Sequence, residues 1–297
     1  MLSGMARIAI VGGGSIGEAL LSGLLRAGRQ VKDLVVAEKH PDRAKYLAEK
    51  YSVLVTSVAE AVGHATYVIV AVKPGDVSGL VGEIVDAATR AESDTAEQVF
   101  VTVAAGVPTS FYENKLPAGS PVIRVMPNTP IVVGGGVSAL AAGRFATAEQ
   151  MKEVSSIFDA VGGVLTVPEA QLDAVTAVSG SGPAYFFLMA EALVDAAVAA
   201  GLSRSVATDL VAQTMAGSAA MLLDRLDKAA SVADAVGASG EVTMDTTAAA
   251  LRAAVTSPGG TTAAGLRELE RGGLRAAVAE AVDAAKRRSE QLGITSE

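Results

Sequence analysis

The sequence predicts an α/β fold: a doubly wound, mostly parallel sheet followed by an all-helical C-terminal dimerisation domain. Three observations carry that prediction. An apolar strand at Ile8–Val11 runs directly into Gly12-Gly13-Gly14-Ser15-Ile16-Gly17. Short β-branched runs then alternate with helical patterns, and past Pro168 alanine-rich helices take over with no further convincing strand. The boundary is placed at that change, giving domains 1–167 and 168–297.

The first unit is the most informative. In a glycine loop between strand and helix, the first glycine allows the tight turn and the second lets backbone approach a pyrophosphate. The third lets the helix pack closely on the strand. A bare glycine motif is weak evidence, since 31 glycines will produce chance matches. Here the context agrees: the helix at 18–27 carries Leu20, Leu21, Leu24 and Leu25, and a second strand at Leu34–Ala37 ends at Glu38. That is where an acidic residue binds an adenosine ribose, so the front of the chain reads as a Rossmann-like dinucleotide-binding unit.

Strand-like runs follow at 53–56, 67–72, 99–103, 122–125, 137–140 and 164–167, with helical patterns at 42–50, 76–89 and 148–161. Such alternation means a largely parallel sheet covered on both faces, with ligands at the carboxyl ends of the strands. The helical half is expected at 183–200, 205–224, 246–256, 262–271 and 274–291, and 228–245 reads as a helix interrupted by a turn at Gly237–Gly240. The helices are apolar on more than one face, and a domain of ~130 residues has little interior for five of them. A second copy of the chain is therefore expected to bury part of their surface.

Composition narrows the function. The net charge is −8 and no run of Lys and Arg could track phosphates, which argues against nucleic acid and anionic membrane as partners. The uncharged stretches 125–143 and 174–190 are broken by Pro and Gly pairs and read as core segments, not membrane spans. No secretory signal pattern opens the chain, and a cytoplasmic location is expected. There is no cysteine, which removes thiolate catalysis and Cys-ligated metal, and no metal site is expected.

Several residues could carry chemistry. Ala71-Val72-Lys73-Pro74 ends a strand at the carboxyl edge of the sheet; Lys73 is either a cofactor contact or a solvated lysine beside a turn. Asn128, in Met126-Pro127-Asn128-Thr129-Pro130, is similarly placed. Ser179-Gly180-Ser181-Gly182-Pro183 reads as a turn opening a helix, with Pro183 at its first position. Ser257-Pro258-Gly259-Gly260-Thr261-Thr262 is either a small-carboxylate cradle of backbone N–H groups or a plain helix cap. The two histidines, His40 and His64, both lie beside turns in the nucleotide half. Strong acid or base chemistry near neutral pH lacks its usual instrument, whereas hydride transfer to an activated acceptor needs orientation, a carboxylate clamp and one donor.

Taken together in this order, these segments resemble the pyrroline-5-carboxylate reductases, along essentially the whole chain. The most specific signature is Val255-Thr256-Ser257-Pro258-Gly259-Gly260-Thr261-Thr262. The resemblance implies NAD(P)H-dependent reduction of 1-pyrroline-5-carboxylate to L-proline, the last step of proline biosynthesis. It also implies a helical domain that interleaves two protomers into a homodimer, with decamers often formed. Carried over, Thr262 is the catalytic residue, donating to the ring nitrogen with proton supply from solvent. Ser257, Gly259, Gly260, Thr261 and Thr262 bind substrate. The cofactor-binding set is Gly12, Gly14, Ser15, Ile16, Gly17, Glu38, Lys39, Ala71, Val72, Lys73, Pro74, Met126, Asn128 and Ser179, with the nicotinamide between Met126, Asn128 and the Ser179–Pro183 loop.

The chain departs from the family pattern at Asp245-Thr246-Thr247, where many relatives carry His-Pro, and at Ala253-Ala254, where a polar residue is usual. Glu38 favours NADH, while Lys39, His40 and Arg43 offer a 2′-phosphate partners if Glu38 turns away. The family habit tips the expectation slightly to NADPH. Three other readings stand beside this one: a reductase of other cyclic imines, a 3-hydroxyacid-type dehydrogenase, and a non-catalytic NAD(P)-binding sensor. The dehydrogenase reading is weakened because Lys228 and Lys286 are the only lysines after Lys152.

Overall fold

The structure is a computed structural model that describes residues 7–90, 98–236 and 247–294. The chain divides into two compact units, one running to Pro183 and resuming at Val282, the other spanning Ala184–Ala281.

The first unit is built on eight strands: β1 (Ile8–Val11), β2 (Leu34–Ala37), β3 (Leu54–Thr56), β4 (Tyr67–Val70), β5 (Val99–Thr102), β6 (Val122–Pro127), β7 (Gly136–Ala142) and β8 (Gly162–Thr166). Their order is β3-β2-β1-β4-β5-β6-β7-β8. The first six strands are parallel and doubly wound, so the strand order reverses beside β1 and opens a crevice between the ends of β1 and β4. The pairing of β6 with β7 is antiparallel, with Ile123 opposite Ala142 and Pro127 opposite Ser138. β8 then runs parallel to β7.

The central strands β1, β2, β4 and β5 read as near-continuous apolar runs because both faces are covered. Ile8 and Ile10 face one core with Leu20, Leu21 and Leu24 of α1 (Ser15–Arg26) and Ile157 and Phe158 of α6 (Ala148–Asp159). Ala9 and Val11 face the other core, which holds Ala61 and Val62 of α3 (Val58–Val62), Val81 and Ile84 of α4 (Val77–Arg90), and Tyr112 of α5 (Thr109–Glu113). Helix α2 (Pro41–Tyr51) contributes Leu47 to the first core. The short helices α3 and α5 carry less than two turns of pattern and were not expected from the sequence.

In the helical half, α7 (Leu172–Val175) passes through a π turn at Thr176–Gly180 into α8 (Gly182–Ala199). The remaining helices are α9 (Arg204–Val236), α10 (Thr247–Ala254), α11 (Thr261–Arg271) and α12 (Leu274–Ile294). The expected turn at Gly237–Gly240 and the departure at Asp245-Thr246 lie outside the described residues.

Two expectations are corrected. The segment 179–183 does not open a helix from a turn. It continues one, because Ser181 N–H donates to Thr176 O five residues back, at 2.8 Å, and the helix bulges without stopping. The stretch 174–190 is not core throughout: Phe186, Phe187 and Leu188 are 65%, 69% and 67% exposed. Three successive residues span about 200° of a helix, so α8 presents apolar surface over most of its circumference. Segments Glu169–Ala199 and Arg204–Lys228 are long and apolar enough to cross a membrane by length and composition alone, and little of either is buried within one chain.

Candidate functional site

The glycine loop shows three separate constraints. Gly12 has φ +104°, its N–H donates to Ala37 O at 2.9 Å, and a Cβ there would lie 2.7 Å from Ala71 O. It therefore lets β1, β2 and β4 end side by side. A Cβ on Gly17 would lie 2.0 Å from Gly12 O, so helix and loop could not approach as they do. Gly14 is different: among the described residues nothing lies within 4 Å of its would-be Cβ. It caps α1 with no side-chain hydrogen bond, leaving the helix-start N–H groups of Ser15, Ile16 and Gly17 facing an exposed edge. Empty space over one glycine, with close backbone packing at the other two, is the shape a pyrophosphate requires.

A cleft of about 530 Å³ opens there, lined by Gly12, Gly14, Glu38, Lys39, Ala71, Val72 and Lys73 from the expected set. Thr56, Ser57, Asp76 and Glu83 line it too; sequence reading missed them because they lie at the end of β3, in the turn before α4 and on α4 without any motif. His40 lies in the same wall, whereas His64 is an exposed residue just beyond α3. Pro74 faces a neighbouring cavity of about 760 Å³ with Phe111 and Lys115.

Glu38 stands at the end of β2 with both carboxylate oxygens engaged. Oε2 accepts from Gly13 N–H and Oε1 from His40 N–H, each at 2.9 Å. Arg43 points elsewhere: its Nε donates to Gly13 O at 2.7 Å and its Nη2 pairs with Glu18 Oε2. Glu18 also accepts from Tyr46, Lys50 and Tyr51 at 3.1, 3.0 and 2.7 Å. Burial pushes the Glu18 carboxyl up, but hydrogen bonds from Tyr51, Lys50, Arg43 and Tyr46 outweigh it and hold the group down at about 2. This network fastens α1 to α2 beneath the glycine loop.

On the far side of the sheet, Met126 and the π turn are brought together: Met126 Cε lies 2.9 Å from where a Cβ on Gly180 would stand. Ser179 Oγ donates to Val175 O at 3.0 Å. Asn128 is pinned by its side-chain oxygen, which accepts from Val137 N–H at 2.9 Å, so its amide nitrogen is the end that can meet a ligand. Glu169 fixes the segment before the π turn. It accepts from Thr109 N–H at 2.8 Å and Thr109 Oγ1 at 2.7 Å, and pairs with the buried Arg124 at 3.3 Å. No motif marks this clasp, which joins residues 45 and 60 positions apart.

The second half of the expected site lies in the helical unit. Gly259 has φ +69°, and Gly260 N–H donates to Ser257 O at 3.0 Å, closing a turn directly before α11. Gly260 caps that helix with no side-chain hydrogen bond, and Thr261 and Thr262 are exposed in its first turn. The structure thus shows the helix cap, with helix-start N–H groups beside two exposed hydroxyls.

A glycine-lined crevice at the switch point of a doubly wound sheet, followed in the chain by a helical domain, is the arrangement of a two-domain dinucleotide-binding oxidoreductase. Two family models match the chain in that order, "NADP oxidoreductase coenzyme F420-dependent" over residues 7–106 and "Pyrroline-5-carboxylate reductase dimerisation" over residues 169–292. The chain belongs to the pyrroline-5-carboxylate reductase family. It is 70% identical to the pyrroline-5-carboxylate reductase of Mycobacterium tuberculosis and 68% identical to that of Mycobacterium leprae, with all of each chain covered. Among solved structures, the pyrroline-5-carboxylate reductase of Coxiella burnetii superposes with a TM-score of 0.84 at 33% identity, covering 97% of this chain and 98% of that one. The Plasmodium falciparum pyrroline carboxylate reductase, solved with NADP bound, gives 0.78 at 27% identity, covering 98% and 100%.

Proposed function

We propose that this chain reduces 1-pyrroline-5-carboxylate to L-proline with NAD(P)H, the final step of proline biosynthesis. The start of α11 at Gly260, which no side chain caps, with Thr262 in its first turn, is the observation that carries the reading. The N–H groups of Gly259, Gly260 and Thr261, with Ser257 beside them, hold the substrate carboxylate. The Thr262 hydroxyl donates to the ring nitrogen. When bound, the reduced nicotinamide supplies a hydride to the C=N carbon. The nitrogen lone pair freed as the C=N π bond is consumed takes a proton that enters from solvent through the Thr262 hydrogen bond. Hydroxyl donation stabilises charge that changes at nitrogen during the reaction, so its benefit is larger in the transition state than in the ground state.

The glycine loop suits the dinucleotide, since Gly14 leaves its pyrophosphate room that any side chain would take. Ser15, Ile16 and Gly17 present N–H groups to it, and Glu38 and Lys39 border the adenosine ribose. Ala71, Val72, Lys73 and Pro74 flank the cofactor along β4, and Met126, Asn128 and Ser179 frame the nicotinamide end.

The boundary between the two functional domains falls at 167/168, a placement supported by the dimerisation model, which begins at residue 169. The exposed apolar surface of α8 and α9 is covered by a second copy of the chain, giving a homodimer able to associate into a decamer. Neither nucleic acid nor membrane is a partner in this reading, and the protein works in the cytoplasm. A net charge of −8 supports the first exclusion, and a protein partner for the apolar helices supports the second.

Loss of reduced-nicotinamide absorbance with 1-pyrroline-5-carboxylate, with proline identified as product, tests the reaction. Thr262→Ala lowers kcat by roughly a hundredfold and leaves the Kd for NAD(P)H unchanged. Unaltered turnover in that variant would remove Thr262 from the chemistry.

A further inference from the structure

We infer that the ribose subsite of this chain is built for an unphosphorylated 2′-hydroxyl, and that the enzyme binds NADH in preference to NADPH. The inference rests on the dinucleotide reading above and deepens it. Three features at the end of β2 carry it. Glu38 is held in place by two backbone donors, Gly13 N–H and His40 N–H, so the carboxylate is fixed at the strand end where a ribose is recognised. A carboxylate fixed there accepts from a 2′-hydroxyl and repels a 2′-phosphate.

The nearby cations are committed elsewhere. Arg43, the residue best able to grip a phosphate bidentately, is turned under the loop by Gly13 O and Glu18. Lys39 is paired with Asp76 at 3.2 Å, which brings a second carboxylate to the same wall. Lys73 follows β4, and β1 lies between β4 and β2, which places it toward the pyrophosphate side. The cleft wall holds the carboxylates of Glu38, Asp76 and Glu83 against the ammonium groups of Lys39 and Lys73, with the His40 imidazole beside them. A field of that sign adds to the local repulsion of a doubly charged phosphate. The slight NADPH expectation drawn from family habit is thus opposed by the arrangement around Glu38.

Direct titration of the full-length protein with NADH and with NADPH, read by nucleotide fluorescence without substrate, tests this. The expected result is a Kd for NADH at least about tenfold below that for NADPH. Glu38→Gln keeps an acceptor for Gly13 N–H and removes the charge; it is expected to tighten NADPH about tenfold while moving NADH little. Asp76→Asn, on an exposed pair and safe for folding, frees Lys39 and is expected to tighten NADPH a few fold. Equal or tighter NADPH binding by the wild type, or an unchanged ratio in Glu38→Gln and Asp76→Asn, overturns the inference and leaves the dinucleotide site intact. Failure of the wild type to bind either nucleotide overturns both.

Discussion

Gly14 and Gly17 lie three residues apart and answer to different demands. Gly17→Ala drives a methyl against Gly12 O, and the expected outcome is a loss of at least about 2 kcal/mol of stability in urea unfolding, with nucleotide affinity lost alongside. Gly14→Ala meets no atom of the described residues, so its thermal midpoint should hold while NAD(P)H affinity falls on the order of tenfold. Glu18 supplies a pH test. Its folded carboxyl titrates near 2, below an unfolded value near 4.3, so its stabilising contribution is complete above the unfolded value and fades as pH falls toward 2. The stability gap between wild type and Glu18→Gln should therefore be constant from neutral pH to about pH 5, then close on acidification. At this scale the sequence is legible where backbone geometry dictates the residue, as in the glycine loop. It is silent on the Glu18 cluster, whose members lie 25 to 33 positions apart from it and match no motif.

Elements show a similar division. Strands β1 and β2 fall where the apolar runs end, because strands buried on both faces admit no polar interruption. The antiparallel turn of β7 and the π turn at Thr176–Gly180 leave no such trace: strand direction does not alter composition, and one extra residue in a helix alters the phase without altering the pattern on either side. The Glu169 clasp ties these late elements to α5 and β6. Glu169→Ala strands a guanidinium whose side chain is only 10% exposed, and roughly 3 kcal/mol of stability should be lost. Adding Arg124→Met should recover much of it, because the penalty comes from the orphaned charge. Chemical denaturation of the two variants and the wild type measures this, and a double variant no better than Glu169→Ala would deny the ion pair its role.

For the whole molecule, the apolar girdle of α8 is the dominant fact. One chain leaves Phe186, Phe187 and Leu188 largely in solvent, and a contiguous apolar patch of that kind marks an interaction surface. Phe187→Asp with Leu188→Asp should shift the proposed homodimer to monomer in sedimentation velocity, with a dimer that persists unchanged arguing for a different contact face. The need for a partner was legible from helices apolar on several faces; which residues remain bare was not, since the pattern alone does not say which face the same chain covers. Strand β6 has a quieter consequence for the assembly of the site. Arg124 and Met126 are successive same-face positions, about 7 Å apart along the strand. Glu169 is clasped over the first and Gly180 rests against the second, so the strand acts as a gauge with two notches, one ionic and one apolar. A slip of a single residue would turn both notches to the opposite face. Parallel pairing with β5 and antiparallel pairing with β7 lock the gauge from both sides, and the placing of Met126 against the π turn inherits the fidelity of a β-ladder.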